Sequence, residues 1–112
     1  MGTHQMKRGE VWWVNFNPSI GGEIRKERPA IIVSNDSANK FLNRLQVVPI
    51  TSKIDKVYPS ETLVEVEGKN VKAVADQINT ASKLRFTKKM CDLSPEDLRK
   101  VESAIKVQLD LH

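Results

Sequence analysis

Glu23-Ile24-Arg25-Lys26-Glu27-Arg28-Pro29-Ala30-Ile31-Ile32-Val33-Ser34-Asn35-Asp36 is the stretch on which the reading of the whole chain turns. It starts as a charged loop after Gly21-Gly22 and passes through Arg28-Pro29 into a short apolar, β-branched run. It stops on Ser-Asn-Asp, whose side chains bond their own backbone in turns. Residues 30–33 carry no polar alternation, so they predict a strand buried on both faces. Arg28 then sits at the mouth of that strand, stiffened by Pro29, because a residue before proline is driven out of the helical region. Two readings of Arg28 stand side by side. It is a guanidinium on a rigid strand end that can hold an anion, or a surface charge that keeps a strand edge from pairing.

The surrounding 112 residues are enough for one domain and one core. Hydrophobic residues make up 39% and charged ones 29%, ordinary values for a globular protein, and no apolar run approaches the length of a membrane span. A second Met at position 6 marks residues 1–5, with His4, as a leader or tag remnant, and 6–112 as the single domain. Cys91 is the single cysteine, so no intrachain disulfide forms, and the expected location is cytoplasmic, with no membrane partner. The net charge of +4 allows an anionic partner. Residues 83–89 concentrate Lys83, Arg85, Lys88 and Lys89 without an acid, whereas the segment from Ser94 is slightly acidic and is not the face expected to meet a polyanion.

Outward from the central strand, residues 10–16 read as a strand with Val11, Trp13 and Asn15 on one side and Trp12, Val14 and Phe16 on the other. One Trp is therefore expected in the core. The loop from Asn17 to about Glu27 is long for a hairpin and lacks periodicity, as functional loops do. Residues 37–44 suggest a short helix or turn around Phe41. Residues 45–51 form the next strand, with Pro49 near its end and Thr51-Ser52-Lys53 closing it. Residues 61–67 alternate at period two, Gly68-Lys69-Asn70 signals a turn, and 71–78 completes a hairpin, followed by another turn at 79–83. Ser94-Pro95-Glu96-Asp97 starts a helix with a Ser cap, Pro at the first helical position and an acid three residues after the Ser. Leu98, Val101, Ile105 and Leu109 form one stripe, and Ala104, Val107 and Leu111 a second. That surplus apolar arc points to a subunit contact. Five short strands and a terminal helix predict a small, mainly β fold in which an antiparallel sheet curls into a barrel.

The chemistry on offer is narrow. The two histidines, His4 and His112, lie at the ends, so a paired-imidazole ribonuclease mechanism is closed to the folded body. No Cys/His/carboxylate spacing suits a metal, no cofactor motif occurs, and Cys91 reads as a structural thiol. Arg28, Thr51-Ser52, Asp76-Gln77 and the loop acid Glu23 remain at strand ends. Such a set suits attack of a ribose 2′-hydroxyl on its neighbouring phosphate, since RNA brings its own nucleophile and needs chiefly a charge-stabilising fork. Simple binding remains equally open on this chemistry.

Four segments resemble the MazF/PemK family, toxins of type II toxin–antitoxin pairs. They are Arg8-Gly9-Glu10-Val11-Trp12-Trp13-Val14, Gly21-Gly22-Glu23 with Glu27-Arg28-Pro29-Ala30-Ile31-Ile32-Val33-Ser34-Asn35-Asp36, Pro49-Ile50-Thr51-Ser52, and Ala75-Asp76-Gln77-Ile78-Asn79-Thr80, in register over nearly the whole chain. The resemblance implies an SH3-like barrel with a C-terminal helix and a homodimer. It implies metal-independent, sequence-selective cleavage of single-stranded RNA, leaving a 2′,3′-cyclic phosphate and a 5′-hydroxyl and stopping translation. It also implies an antitoxin partner whose disordered C-terminal segment lies over the same groove.

On this resemblance Arg28 and Thr51 are the catalytic pair, and Glu23, Ser52, Asp76 and Gln77 support the reaction or position the substrate. Arg25, Lys26, Lys53, Thr80, Lys83 and Arg85 are the expected RNA-binding residues, and no metal is required. Ile24, Arg25 and Lys26 stand where many relatives have Gln and small residues, so the loop is more basic here. Val74 stands where Kid-type relatives have a second Arg. Two rival classes are a gyrase-binding toxin of the CcdB type, which depends on a C-terminal Trp that this chain lacks, and a non-catalytic RNA-binding barrel.

Overall fold

The computed structural model describes residues 5–16 and 27–112. Within them the order is β1 (Glu10–Asn15), β2 (Glu27–Ile32), α1 (Asp36–Phe41), β3 (Arg44–Thr51), β4 (Glu61–Val66), β5 (Lys69–Val74), β6 (Asn79–Ser82), β7 (Phe86–Asp92) and α2 (Pro95–Leu109). Single 3₁₀ turns occupy Ala75–Gln77 and Lys83–Arg85. The chain is mainly β with a C-terminal helix, as the sequence implies. All pairings are antiparallel, in the lateral order β4-β5-β3-β2-β1-β7, with β6 added to β3. The sheet curls into a half-barrel, the small SH3-like form expected from the sequence.

β3 is where the curl is made. Its first half, Arg44 to Val47, pairs with β6, and its end, Ile50 and Thr51, pairs with β5. The buried Pro49 lies in the two-residue gap between these partners, where a missing N–H leaves no ladder bond unmade. The central strands are covered on both faces. Val11, Ile31, Val48 and Ile50 pack with Val64, Val66, Ala73 and Val101 on one side. Trp12, Val14, Ala30, Ile32, Leu45 and Val47 pack with Ala81 and Phe86 on the other. Ala30, Ile31 and Ile32 are all inaccessible to solvent, which is why that run carries no polar alternation. Trp12 is the core tryptophan, meeting Phe86 edge to face at 6.2 Å, and Trp13 is half-buried.

Ser94 caps α2 as the sequence predicts, its Oγ accepting from Asp97 N at 3.1 Å. Asp97 in turn accepts from Glu65 N at 2.9 Å and fastens the helix to β4. Leu98, Val101 and Ile105 of the first stripe pack on the core, whereas Leu109 with Val107 and Leu111 is exposed. A buried Glu10 ties the start of β1 to its neighbours. Its carboxylate accepts from Trp12 Nε1 at 2.9 Å and Lys7 N at 3.1 Å, and pairs with Lys89 at 3.3 Å. Burial acts to raise its pKa, but those bonds outweigh burial and hold it below the ordinary carboxylate value.

The count of five strands is corrected to seven among the described residues. β6 replaces the expected turn at 79–83, and β7 occupies most of the presumed basic patch. β6 buries only Ala81, so it shows no period-two signal. β7 pairs with β1 through two register shifts, between Val11 and Trp12 and between Trp13 and Val14. Each such bulge moves side chains across faces and erases alternation. The strand expected over 71–78 ends at Val74, where Ala75 N turns to Ser60 O at 3.0 Å.

Candidate active site

β2 and β3 pair Ala30 with Pro49, Ile31 with Val48 and Ile32 with Val47. The same register carried two residues toward the start of β2 sets Arg28 against Thr51. On its other side Arg28 is the partner of Val14. Cross-strand partners share a face, so Arg28 and Thr51 lie on the face of Val14 and Ala30, at the same end of two adjacent strands. Both are accessible: Arg28 is exposed and Thr51 half-buried. Thr51 Oγ1 accepts from Lys53 N at 3.3 Å, a bond that leaves its own O–H to donate to a ligand. Ser52 and Lys53 follow it, both exposed.

The next strand continues this face. Thr51 is opposite Lys72 of β5, and Lys72 is opposite Leu63 of β4. The Lys72 side chain is almost fully buried; its Nζ meets Glu61 Oε1 at 3.1 Å and donates to Lys56 O at 2.9 Å. Glu61 Oε1 also accepts from Tyr58 N at 3.0 Å. That backbone bond foremost, followed by the Lys72 ammonium, holds its carboxyl below the ordinary value. Sequence reading missed this pair. Its one signal was a lysine at position 72 inside the apolar run Val71-Lys72-Ala73-Val74.

The other predicted residues divide into three groups. Glu23, Arg25 and Lys26 lie outside the described residues, as does the loop from Asn17 to Lys26. Arg85 joins the Arg28 end, since its guanidinium donates to Asn15 O at 2.9 Å and Asn15 is the partner of Glu27. Asp76, Gln77, Thr80 and Lys83 belong to the segment that runs from the 3₁₀ turn after β5 through β6 to the next turn. Val47 pairs with Asn79 and Gln46 with Thr80, four to five residues back along β3 from Thr51, roughly 15 Å at strand rise. Thr80 Oγ1 accepts from Gln46 Nε2 at 3.0 Å, and Lys83 Nζ donates to Asn39 O at 2.5 Å. The turn after Gln77 is tied by Asn79 Nδ2 to Gln77 O at 3.0 Å, while Asp76 is exposed and takes no part in that bond. A cleft of about 530 Å³ opens on this side, lined by Val33, Gln46, Ile78, Ile105 and Leu111. Within one chain, then, Arg28 and Thr51 come together, with Ser52 and Lys53 following, and Thr80 does not join them.

Comparison with known proteins identifies the family. Residues 7–109 match the family described as PemK-like, MazF-like toxins of type II toxin–antitoxin systems. The chain is 38% identical to endoribonuclease MazF9 of Mycobacterium tuberculosis, covering 95% of this chain and 98% of that protein. It is 34% identical to endoribonuclease MazF of Staphylococcus saprophyticus, covering 96% and 93%. Its fold is similar to that of MazF from Deinococcus radiodurans, with a TM-score of 0.83 over 96% of this chain and 99% of that one at 23% identity. It is similar too to the MazE–MazF complex of the same organism, at a TM-score of 0.80 over 98% and 100% with 23% identity. With a family match across nearly its full length and relatives above one-third identity, the chain belongs to the PemK-like, MazF-like family of toxins of type II toxin–antitoxin systems.

Proposed function

We propose that this chain, an endoribonuclease toxin by its family, cleaves single-stranded messenger RNA by attack of a ribose 2′-hydroxyl on the adjacent phosphate, and so blocks translation. The 2′-oxygen bonds to phosphorus and the bond from phosphorus to the 5′-oxygen breaks. The products are a 2′,3′-cyclic phosphate and a 5′-hydroxyl, with the nucleophile's proton passed to solvent or a base. Arg28 stabilises the pentacoordinate phosphorane with a bidentate fork and serves the leaving 5′-oxygen with a proton. Thr51 donates its O–H to a phosphate oxygen, and Lys53 and Arg85 hold the flanking backbone. No step draws on a metal ion. The observation that carries this reading is the shared register, face and strand end of Arg28 and Thr51.

The partners follow the same reading. A homodimer is supported by the exposed Val107, Leu109 and Leu111 at the end of α2. A cognate antitoxin is supported by neighbours solved with theirs, from Deinococcus radiodurans and a mycobacterial species. Its disordered C-terminal segment would cover the same rim, and the pair would act in the cytoplasm.

Incubating the purified protein with a long unstructured RNA in the presence of a chelator, and mapping the 5′ ends, tests the proposal. Cuts at a recurring short motif with 5′-hydroxyl ends are expected. Intact RNA, or cuts that vanish with the chelator, would overturn it.

A further inference from the structure

The loop between β3 and β4 leaves the sheet directly after Thr51 and exposes Lys53, Ile54, Lys56, Val57 and Tyr58. Exposed segments of this kind ordinarily order poorly, because nothing offsets their conformational entropy. Here the returning limb is bonded at three successive points. Lys72 Nζ holds the Lys56 carbonyl. Glu61 grips Tyr58 twice, with Oε1 accepting from Tyr58 N and its own N–H donating to Tyr58 O at 2.8 Å. Ser60 O accepts from Ala75 N. Lys72 and Glu61 are joined to each other, and Lys72 is the cross-strand partner of Thr51. The backbone of Tyr58 is therefore tied to Thr51 through two side chains that are themselves nearly buried.

Burying a lysine and a glutamate beside an active-site strand is costly unless their buried polar atoms find partners, and among the described residues no buried side-chain nitrogen or oxygen is without one. What the pair holds out is the chain's single tyrosine, 57% exposed. A half-exposed aromatic ring on a fixed backbone, in a loop that also exposes Lys53 and Lys56, has the make-up of a stacking platform for a base of single-stranded RNA. Phe41, also exposed, ends α1 at the opposite end of β3, about 20 Å from Thr51.

We propose that Lys72 and Glu61 latch this loop so that Tyr58 stacks on a nucleobase next to the scissile phosphate. The proposal rests on the ribonuclease reading above and adds to it a subsite and two positioning residues.

The test compares Tyr58→Ala and Tyr58→Phe with the wild-type protein on one unstructured, fluorescein-labelled RNA, in steady-state cleavage and in anisotropy binding. Loss of one stacked base raises KM and the dissociation constant roughly 5- to 150-fold, with kcat unchanged. Phe, which keeps the ring, restores wild-type values. Lys72→Gln and Glu61→Gln reproduce part of the KM rise and speed tryptic cutting after Lys53 and Lys56, whereas Lys72→Arg rescues both. If Lys72→Gln fails to fold, the same readouts are taken on Glu61→Gln, which keeps its shape. Unchanged KM in Tyr58→Ala, or a Tyr58→Phe variant as weak as Tyr58→Ala, overturns the stacking role. Should the wild type bind this RNA without cutting it, a Tyr58-dependent affinity still upholds the platform while the cleavage proposal falls. An affinity indifferent to Tyr58 removes the platform alone.

Discussion

Replacing Arg28 by alanine separates chemistry from fold more cleanly than other changes at the rim. Arg28 is exposed, at the second position of β2, with Val14 as its partner in β1. Its removal opens no cavity and strips no buried group of a bond, so unfolding free energy should move by no more than about 0.5 kcal/mol. The backbone pairing of Val14 with residue 28 survives the change. Cleavage should fall far more. A donor aimed at charge that develops only in the transition state is worth about 10²–10³ in rate. Arg28→Lys keeps a charge but not the planar two-pronged fork, so it should recover only part of that loss. Single-turnover cleavage of an RNA carrying a fluorophore and a quencher, with enzyme in excess, reads the chemical step, and urea unfolding of the same preparations reads the fold. An Arg28→Ala protein with a wild-type urea midpoint and near-wild-type single-turnover rate would refute the role given to the guanidinium.

Three further outcomes follow from particular contacts. Glu10→Gln should cost about 1.5–3 kcal/mol at pH 7, the worth of hydrogen bonds to a charged group. Because folding lowers the Glu10 pKa, its contribution is complete above the ordinary value of 4.5 and is lost as pH falls through the folded value; urea midpoints of wild type and variant should therefore converge below pH 4.5, and a gap that stays constant down to pH 3 would count against it. Lys53→Gln should weaken RNA binding and flatten the plot of log affinity against log salt by about 0.7, the share of one phosphate contact on a single strand. An unaltered salt slope would take Lys53 off the backbone. Ser94→Ala removes the acceptor for Asp97 N and should lower stability by about 1 kcal/mol, read as a fall in thermal midpoint without loss of cleavage.

Elements whose signal is local were legible from the residues alone. The cap at Ser94 with Pro95 and Asp97, the β1 alternation that sends one of the two Trp residues inward, and the run expected at 30–33, of which 30–32 is fully buried and Val33 half-buried, all depend on side chains a few positions apart. The same is true of the motif residues Arg28 and Thr51, each marked by its place at a strand end. β6 and β7 were not legible, because what makes them strands is a partner far away in sequence. β6 has one buried residue, and the bulges of β7 break the period by which a strand is recognised. Lys83, Arg85 and Lys89 of the basic patch at 83–89 are likewise engaged by groups far away in sequence. Lys89 there is bound to Glu10 and Asp92, with the Asp92 bond foremost in raising its pKa, and Lys83 is bound to a backbone carbonyl.

From sequence alone come the mainly β class and the terminal helix, which are written in short-range spacing, and, through the resemblance its motifs carry, the family and the two residues proposed for catalysis. Only the tertiary structure decides which of the motif residues meet. The β2–β3 register brings positions 28 and 51 to one rim, while the β3–β6 pairing carries Thr80 away from it. It alone joins Lys72 to Glu61 and Lys56, because a hairpin pairing and a loop closure must both form before those three residues are neighbours. Side-chain chemistry is a property of each residue; which charges share a face depends on strand register, and register is set by long-range packing that no short window of sequence contains.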